Sequence, residues 1–182
     1  MNVASDLGFF FIHDKVYEPI MYATTMHFEN IIRQGTTNDF SRLIDLESKC
    51  FDKSIAYSPK QLHYLVTRAN SICLVETQHD IIRGFIIVLF RMGSKVAGIE
   101  TLDVDPDFHG QGIGSRLLSA AENFCSQRGI LKIRLEVACG NHAALRLYEK
   151  SSFRRTTLLK NYYQNPHCGT RDAFRMVKQV VT

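Results

Sequence analysis

VDPDFHGQGIGSRLL, residues 104–118, reads as the end of a strand, a glycine-rich turn and the first turns of an amphipathic helix. Gly110, Gly112 and Gly114 crowd the turn, where missing Cβ atoms let the backbone approach a ligand or take a positive φ without steric cost. Beyond it Ile113, Leu117, Leu118, Ala121, Phe124 and Cys125 recur at helical spacing until Gly129 stops the run. A helix start carries unpaired N–H groups and the positive end of the macrodipole, so the turn is suited to a phosphate-bearing ligand. It is not a Walker loop, since no Gly-Lys-Ser/Thr follows. Nor does it fit the dinucleotide fingerprint, because Ser115, Arg116 and Leu117 follow the glycines.

Upstream, HFENIIRQG (27–35) reads as a first strand, and Thr36 to Phe51 as one helix. Thr37 or Asn38 would cap that helix, and Phe40, Leu43, Ile44 and Leu46 would form its apolar stripe. Ser58-Pro59 opens a second helix, with Leu62, Leu65 and Val66 inward. Strands are expected over 72–77, 82–91 and 95–104. The middle one contains GFIIVLF, continuously apolar and therefore buried on both faces.

Downstream of a helix over 112–128, residues 131–137 alternate. Leu131, Ile133, Leu135 and Val137 share one face, with Lys132, Arg134 and Glu136 on the other. Asn141 caps a helix to about 151, and final strands cover 153–160 and 171–180. Strands mixed with helices, including a strand–helix–strand crossover, give an α/β protein with a mixed sheet.

The chain has 182 residues, enough for one domain with a substantial core. Its net charge of +4 comes without a dense Lys/Arg run, so a polyanionic cofactor accounts for it and nucleic acid is not the expected partner. Five cysteines form no C-x-x-C pair, and they read as free thiols of a reducing, cytoplasmic setting. The seven histidines lack metal-ligand spacing, so no metal is expected. The apolar run FFFI (9–12) is too short to span a membrane and lacks the flanks of a signal peptide. Residues 1–26 carry no clear period. They are expected to be an appendage, or to be absent if translation begins at Met21 or Met26, with the functional domain over 27–182.

The turn resembles the acetyl-CoA-binding motif of the GNAT superfamily of N-acetyltransferases, Arg/Gln-x-x-Gly-x-Gly/Ala, here His109-x-x-Gly112-x-Gly114. The likeness continues in order through LEVACGN (135–141), LYEKSSF (147–153), NYY (161–163) and DAFRM (172–176). That series is similar to bacterial ribosomal-protein N-terminal alanine acetyltransferases. The resemblance implies a mixed, mostly antiparallel sheet flanked by helices. In it, the strands ending near Val104 and beginning near Leu131 run parallel and splay into an acetyl-CoA cleft.

The resemblance also assigns roles. Acetyl transfer to an amine requires that the amine lose a proton, the thioester carbonyl be polarised and the leaving thiolate be protonated. Glu136 would be the proton acceptor, although spacing alone makes it the polar partner of an alternating strand. Tyr148 would be the proton donor, a phenol with an ordinary value near 10, although an aromatic on a helix is ordinarily a packing residue. The backbone of Leu102, Asp103 and Val104 would flank the acetyl and pantetheine groups. Gly110, Gln111, Gly112, Ile113, Gly114 and Ser115 would wrap the pyrophosphate, and Asn141 would both cap its helix and contact acetyl-CoA. Tyr162 and Tyr163 would contact the acceptor.

Two positions depart from the family pattern: His109 stands where Arg or Gln is usual, and Ser152 where glycine commonly ends the helix. Acceptors compatible with these residues are a protein N-terminal α-amine, a small amine and a lysine side chain. A non-catalytic acyl-CoA-binding module is a further reading, which the retention of both Glu136 and Tyr148 disfavours.

Overall fold

The computed structural model describes residues 30–180, so the expectations for residues 1–26 and for positions 27–29 lie outside the described residues. Seven strands form one sheet in the order β1-β2-β3-β4-β5-β7-β6. They are β1 (Ile31–Gln34), β2 (Ser71–Gln78), β3 (Ile81–Leu89), β4 (Val96–Val104), β5 (Lys132–Ala138), β6 (Arg154–Leu159) and β7 (Ala173–Gln179). Every pairing is antiparallel except β4 with β5. Helices α1 (Phe40–Cys50) and α2 (Pro59–Thr67) pack on one face, while α3 (Ile113–Gln127) and α4 (His142–Lys150) pack on the other. The mixed α/β architecture is the one the sequence implies.

β3 is buried along almost its whole length, as its unbroken apolar run requires. Its two faces feed two cores. Ile86 and Val88 meet Leu117, Ala121 and Cys125 of α3, while Phe85 and Ile87 meet Leu43 and Leu46 of α1 and Leu62 of α2. Ser58 opens α2 as the sequence predicts: its hydroxyl accepts from the Gln61 N–H at 3.3 Å, and Pro59 takes the first helical position.

The parallel pair determines where a ligand can enter. β4 and β5 are paired over only three rungs, ending at Gly98 with Arg134, although the strands run on to Val104 and Ala138. Beyond that rung they separate. On its other side β4 carries a bulge, because Ile87 and Val88 of β3 face Thr101 and Ile99, leaving Glu100 as the extra residue. The twist this adds helps turn β4 away from β5.

Three local expectations are corrected. The segment from Thr36 to Phe51 is not one helix: a 3-10 turn over Thr37–Asp39 precedes α1. Neither Thr37 nor Asn38 caps it. The carboxylate of Asp39 accepts from the Thr36 N–H at 2.7 Å and from two Arg33 nitrogens at 2.8 Å each, and this anchoring holds the tighter turn. Leu131 does not share the buried face of β5. It precedes the strand and is 47% exposed, because its N–H bonds back to the Lys95 carbonyl before the alternation starts.

Candidate active site

The glycine turn is built as its sequence implies, although its glycines serve different ends. Gly112 caps α3 in the left-handed region, at φ 75°, a conformation that side chains with a Cβ reach only at a cost. Gly114 is ordinary helix, and a Cβ there would come within 2.9 Å of Leu147 Cδ2. Its smallness therefore serves the packing of α3 on α4, which leaves its backbone N–H at the helix start. His109 braces the turn, with its Nε2 3.0 Å from the Val104 carbonyl oxygen.

A buried charge network lies beneath the turn. Glu76, fully buried, accepts from Arg83 at 2.6 Å and from Arg116 at 2.5 Å. Arg116 also donates to the Gln111 carbonyl at 2.8 Å, and Arg83 reaches the Gln111 side chain at 3.3 Å. Two guanidiniums against one carboxylate leave one surplus positive charge at the amino end of α3. Together with the unpaired helix N–H groups, this suits the polyanionic end of a coenzyme.

From the splay, a cavity of about 600 Å³ runs between β4 and β5. Of the residues expected at the site, Leu102, Glu136, Asn141, Tyr148, Tyr162 and Tyr163 line it together. Asp103 and Val104 do not line it. Alternation turns the Asp103 side chain to the buried far side of β4, leaving only its backbone near the cleft.

Glu136 projects from β5 with its side chain 15% exposed, and its Oε1 accepts from Arg175 Nε of β7 at 2.7 Å. Among the described residues its Oε2 has no protein partner. Asn141 caps α4 as expected, its Oδ1 accepting from the Ala144 N–H at 3.1 Å.

Tyr148 is held at the other end of α4. The Phe153 N–H donates to the Tyr148 carbonyl at 2.9 Å and the Ser152 N–H to the Glu149 carbonyl at 3.0 Å, with Ser152 at φ 68°. This is the paired bonding of a Schellman motif, completed by the Phe153 ring against the Tyr148 ring at 5.8 Å. Burial, with a smaller push from Asp103, drives the Tyr148 phenol well above its ordinary value. The phenol therefore stays protonated through neutral pH. Full proton release from it is harder than from a phenol in water.

Tyr162 and Tyr163 stack edge to face at 5.0 Å on the loop between β6 and β7. Burial first, then Tyr162, pushes the Tyr163 phenol up to about 12. Gly140 admits this loop: a Cβ there would lie 2.0 Å from the Cys168 carbonyl oxygen. The Cys139 thiol nearby is pushed up by burial and is no ready nucleophile.

Sequence reasoning missed the wall supplied by α1 and the segment after it. Glu47 of α1 lines the cavity, buried, and accepts from the Tyr57 N–H at 2.8 Å. Burial raises both Glu47 and Asp103, and the charge of Glu47 raises Asp103 further. Tyr57 also lines the cavity and donates to Glu100 Oε1 of the β4 bulge at 2.5 Å. No sequence period announces contacts between segments some 40 to 60 residues apart. Among the described residues no cluster of His, Cys, Asp and Glu could hold a metal, and no helix is long and apolar enough to cross a membrane.

Comparison with known proteins agrees with this geometry. Residues 40–153 match the family described as Acetyltransferase (GNAT) family. Over 148 residues the chain is 32% identical to a ribosomal protein bS18-alanine N-acetyltransferase of Haemophilus ducreyi, covering 79% of this chain and 92% of that protein. It is 33% identical over 129 residues to N-alpha-acetyltransferase 30 of Schizosaccharomyces pombe, covering 69% and 83%. The crystal structure of the ribosomal-protein-S18-alanine N-acetyltransferase from Escherichia coli superposes with a TM-score of 0.75 at 27% identity, covering 85% of this chain and 96% of that one. A glycine turn opening α3, a parallel pair that splays, and a family match over most of the described residues converge: this chain belongs to the GNAT acetyltransferase family.

Proposed function

We propose that the chain transfers the acetyl group of acetyl-CoA to the α-amine of a protein N-terminus. The observation that carries this reading is the convergence of Glu136 and Tyr148 on one cavity at the β4–β5 splay. The names of the relatives in Haemophilus ducreyi and Schizosaccharomyces pombe, both N-terminal acetyltransferases, support the choice of acceptor. The acetyltransferase domain occupies 27–182, with residues 1–26 as an appendage. It works in the cytoplasm, where its free cysteines stay reduced.

Acetyl-CoA supplies the activated acyl group. Residues Gly110 to Ser115 hold its pyrophosphate through backbone N–H groups, with the Arg83–Glu76–Arg116 network adding positive potential from below. The backbone of Leu102 to Val104 flanks the acetyl and pantetheine groups, and one N–H there polarises the acyl carbonyl. Asn141, its Oδ1 engaged in the cap, contacts the coenzyme through its amide NH₂.

Glu136 keeps Arg175 on one oxygen and uses the other to take the proton of the acceptor amine. Tyr148, buried and protonated, donates a hydrogen bond to the departing sulfur and passes its proton as the charge develops. Tyr162 and Tyr163 form the wall against which the first residues of the acceptor lie.

An acetyl-CoA-dependent thiol-release assay across peptides with free α-amines, α-blocked peptides containing lysine, and polyamines tests the proposal. Release with free α-amine peptides is expected. Release only with lysine or polyamines would move the acceptor to another amine, and release with none would leave a non-catalytic acyl-CoA-binding module.

A further inference from the structure

The two strands of the splay carry carboxylates at equivalent steps. The last paired rung is Gly98 with Arg134, and two residues onward stand Glu100 on β4 and Glu136 on β5. Both line the same cavity. Their partners differ. Glu136 is matched by a guanidinium at 2.7 Å, whereas Glu100 is held only by the neutral Tyr57 phenol at 2.5 Å. Among the described residues no Lys, Arg or His lies within ion-pair distance of Glu100.

The cavity wall as a whole repeats that imbalance. Glu47, Glu100 and Glu136 line it, and no Lys or Arg does, in a chain whose net charge is +4. Burial raises the Glu47 and Asp103 carboxyls, which weakens their part in that charge. His167, also in the wall, is held neutral by burial, which lowers its value. Arg175 is already committed to Glu136, and Arg134 is exposed on β5. The cleft is therefore electrically polar: a surplus cation lies under the glycine turn, and Glu100, without an ion-pair partner among the described residues, lines the opposite end.

We propose that Glu100, positioned by Tyr57, is the docking group for the acceptor's α-ammonium and selects against acceptors with acidic first residues. The proposal rests on the acetyl-transfer reading and narrows its substrate to cationic, non-acidic N-termini. The bulge explains why this residue is available. Glu100 has no rung partner on β3, and it lines the cavity at the widening gap. Glu136 is then left to take the proton once the amine has been drawn in. The Tyr162 phenol, raised by burial first and then by Glu136 and Glu100, and lowered by Arg175 and Arg134, lies within reach of both carboxylates.

The test measures peptide affinity for the full chain saturated with CoA, so that no turnover is needed. One peptide begins with a free neutral residue, a second is the same peptide with its α-amine acetylated, and a third has an acidic first residue. Wild type is expected to favour the first over the others by about two- to fivefold, the scale of one exposed ion pair. In Glu100→Gln both preferences should shrink toward one, with CoA affinity unchanged as the check on folding. Tyr57→Phe should shrink them partly. Preferences in Glu100→Gln equal to wild type, or wild type with no preference or no peptide binding, would overturn the role of Glu100. Thiol release from acetyl-CoA, measured separately, distinguishes the two readings. Turnover without a Glu100-dependent preference sinks only this inference, and a preference without turnover sinks only the transferase reading.

Discussion

Ser152 occupies the left-handed region at φ 68°, a place where glycine is at ease and serine is strained. Its strain supports the Schellman turn that fixes Tyr148 against Phe153. Ser152→Gly should therefore raise stability by about 1 kcal/mol, read from denaturant melts, and leave Tyr148 in place. A loss of stability would mean that the serine side chain has a partner in solution. Tyr148→Phe keeps the ring contact and removes the donor. Turnover should fall about 10²-fold with acetyl-CoA affinity nearly unchanged, the signature of an interaction made mainly in the transition state. If Tyr148 is only a packing residue, the Phe variant will be as active as wild type.

At the scale of elements, the start of α3 separates two uses of glycine that look alike in sequence. Gly112→Val forces a β-branched residue to φ 75° and should abolish acetyl-CoA binding in isothermal calorimetry. Gly114→Ala meets only the tip of Leu147, which can rotate, so binding should survive with a stability loss of about 1 kcal/mol or less. Equal loss of binding in both would mean that the missing Cβ of Gly114 also serves the approach of the ligand.

The helical periods of α3 and α4, the alternation of β5 and the apolar run of β3 were legible because each is a local repeat of the chain. The break between Asp39 and Phe40 was not. It depends on Arg33 reaching a carboxylate six residues away, which no period records. The bulge at Glu100 depends likewise on β3. The cavity wall from Glu47 and Tyr57 exists only after α1 has packed beneath β4.

At the scale of the molecule, charge placement governs both stability and site. The Arg33 guanidinium, with the Thr36 N–H, holds Asp39 down at about 2 from an ordinary value near 3.8. A depressed carboxylate contributes stability that is complete above its unfolded value and is lost as pH falls through its folded one. The window is therefore about pH 4 down to 2, and the contribution is on the order of 1–2 kcal/mol. Asp39→Asn should remove that part of the acid dependence in urea melts taken at pH 2 to 5. The Glu47–Asp103 pair has the opposite sign. Both carboxyls are raised, so their contribution is present at low pH and fades as pH rises through their folded values. Asp103→Asn should accordingly flatten the decline on the alkaline side.

The central claim is that this cleft acetylates an α-amine with Glu136 as proton acceptor. The most direct measurement uses one peptide with a free N-terminus and an internal lysine, incubated with acetyl-CoA and either wild type or Glu136→Gln, and locates the acetyl group by tandem mass spectrometry. The account predicts acetyl on the α-amine alone, formed about 10²–10⁴-fold more slowly by the variant. Acetyl on the lysine side chain, or a variant as fast as wild type across pH 6 to 9, would contradict it.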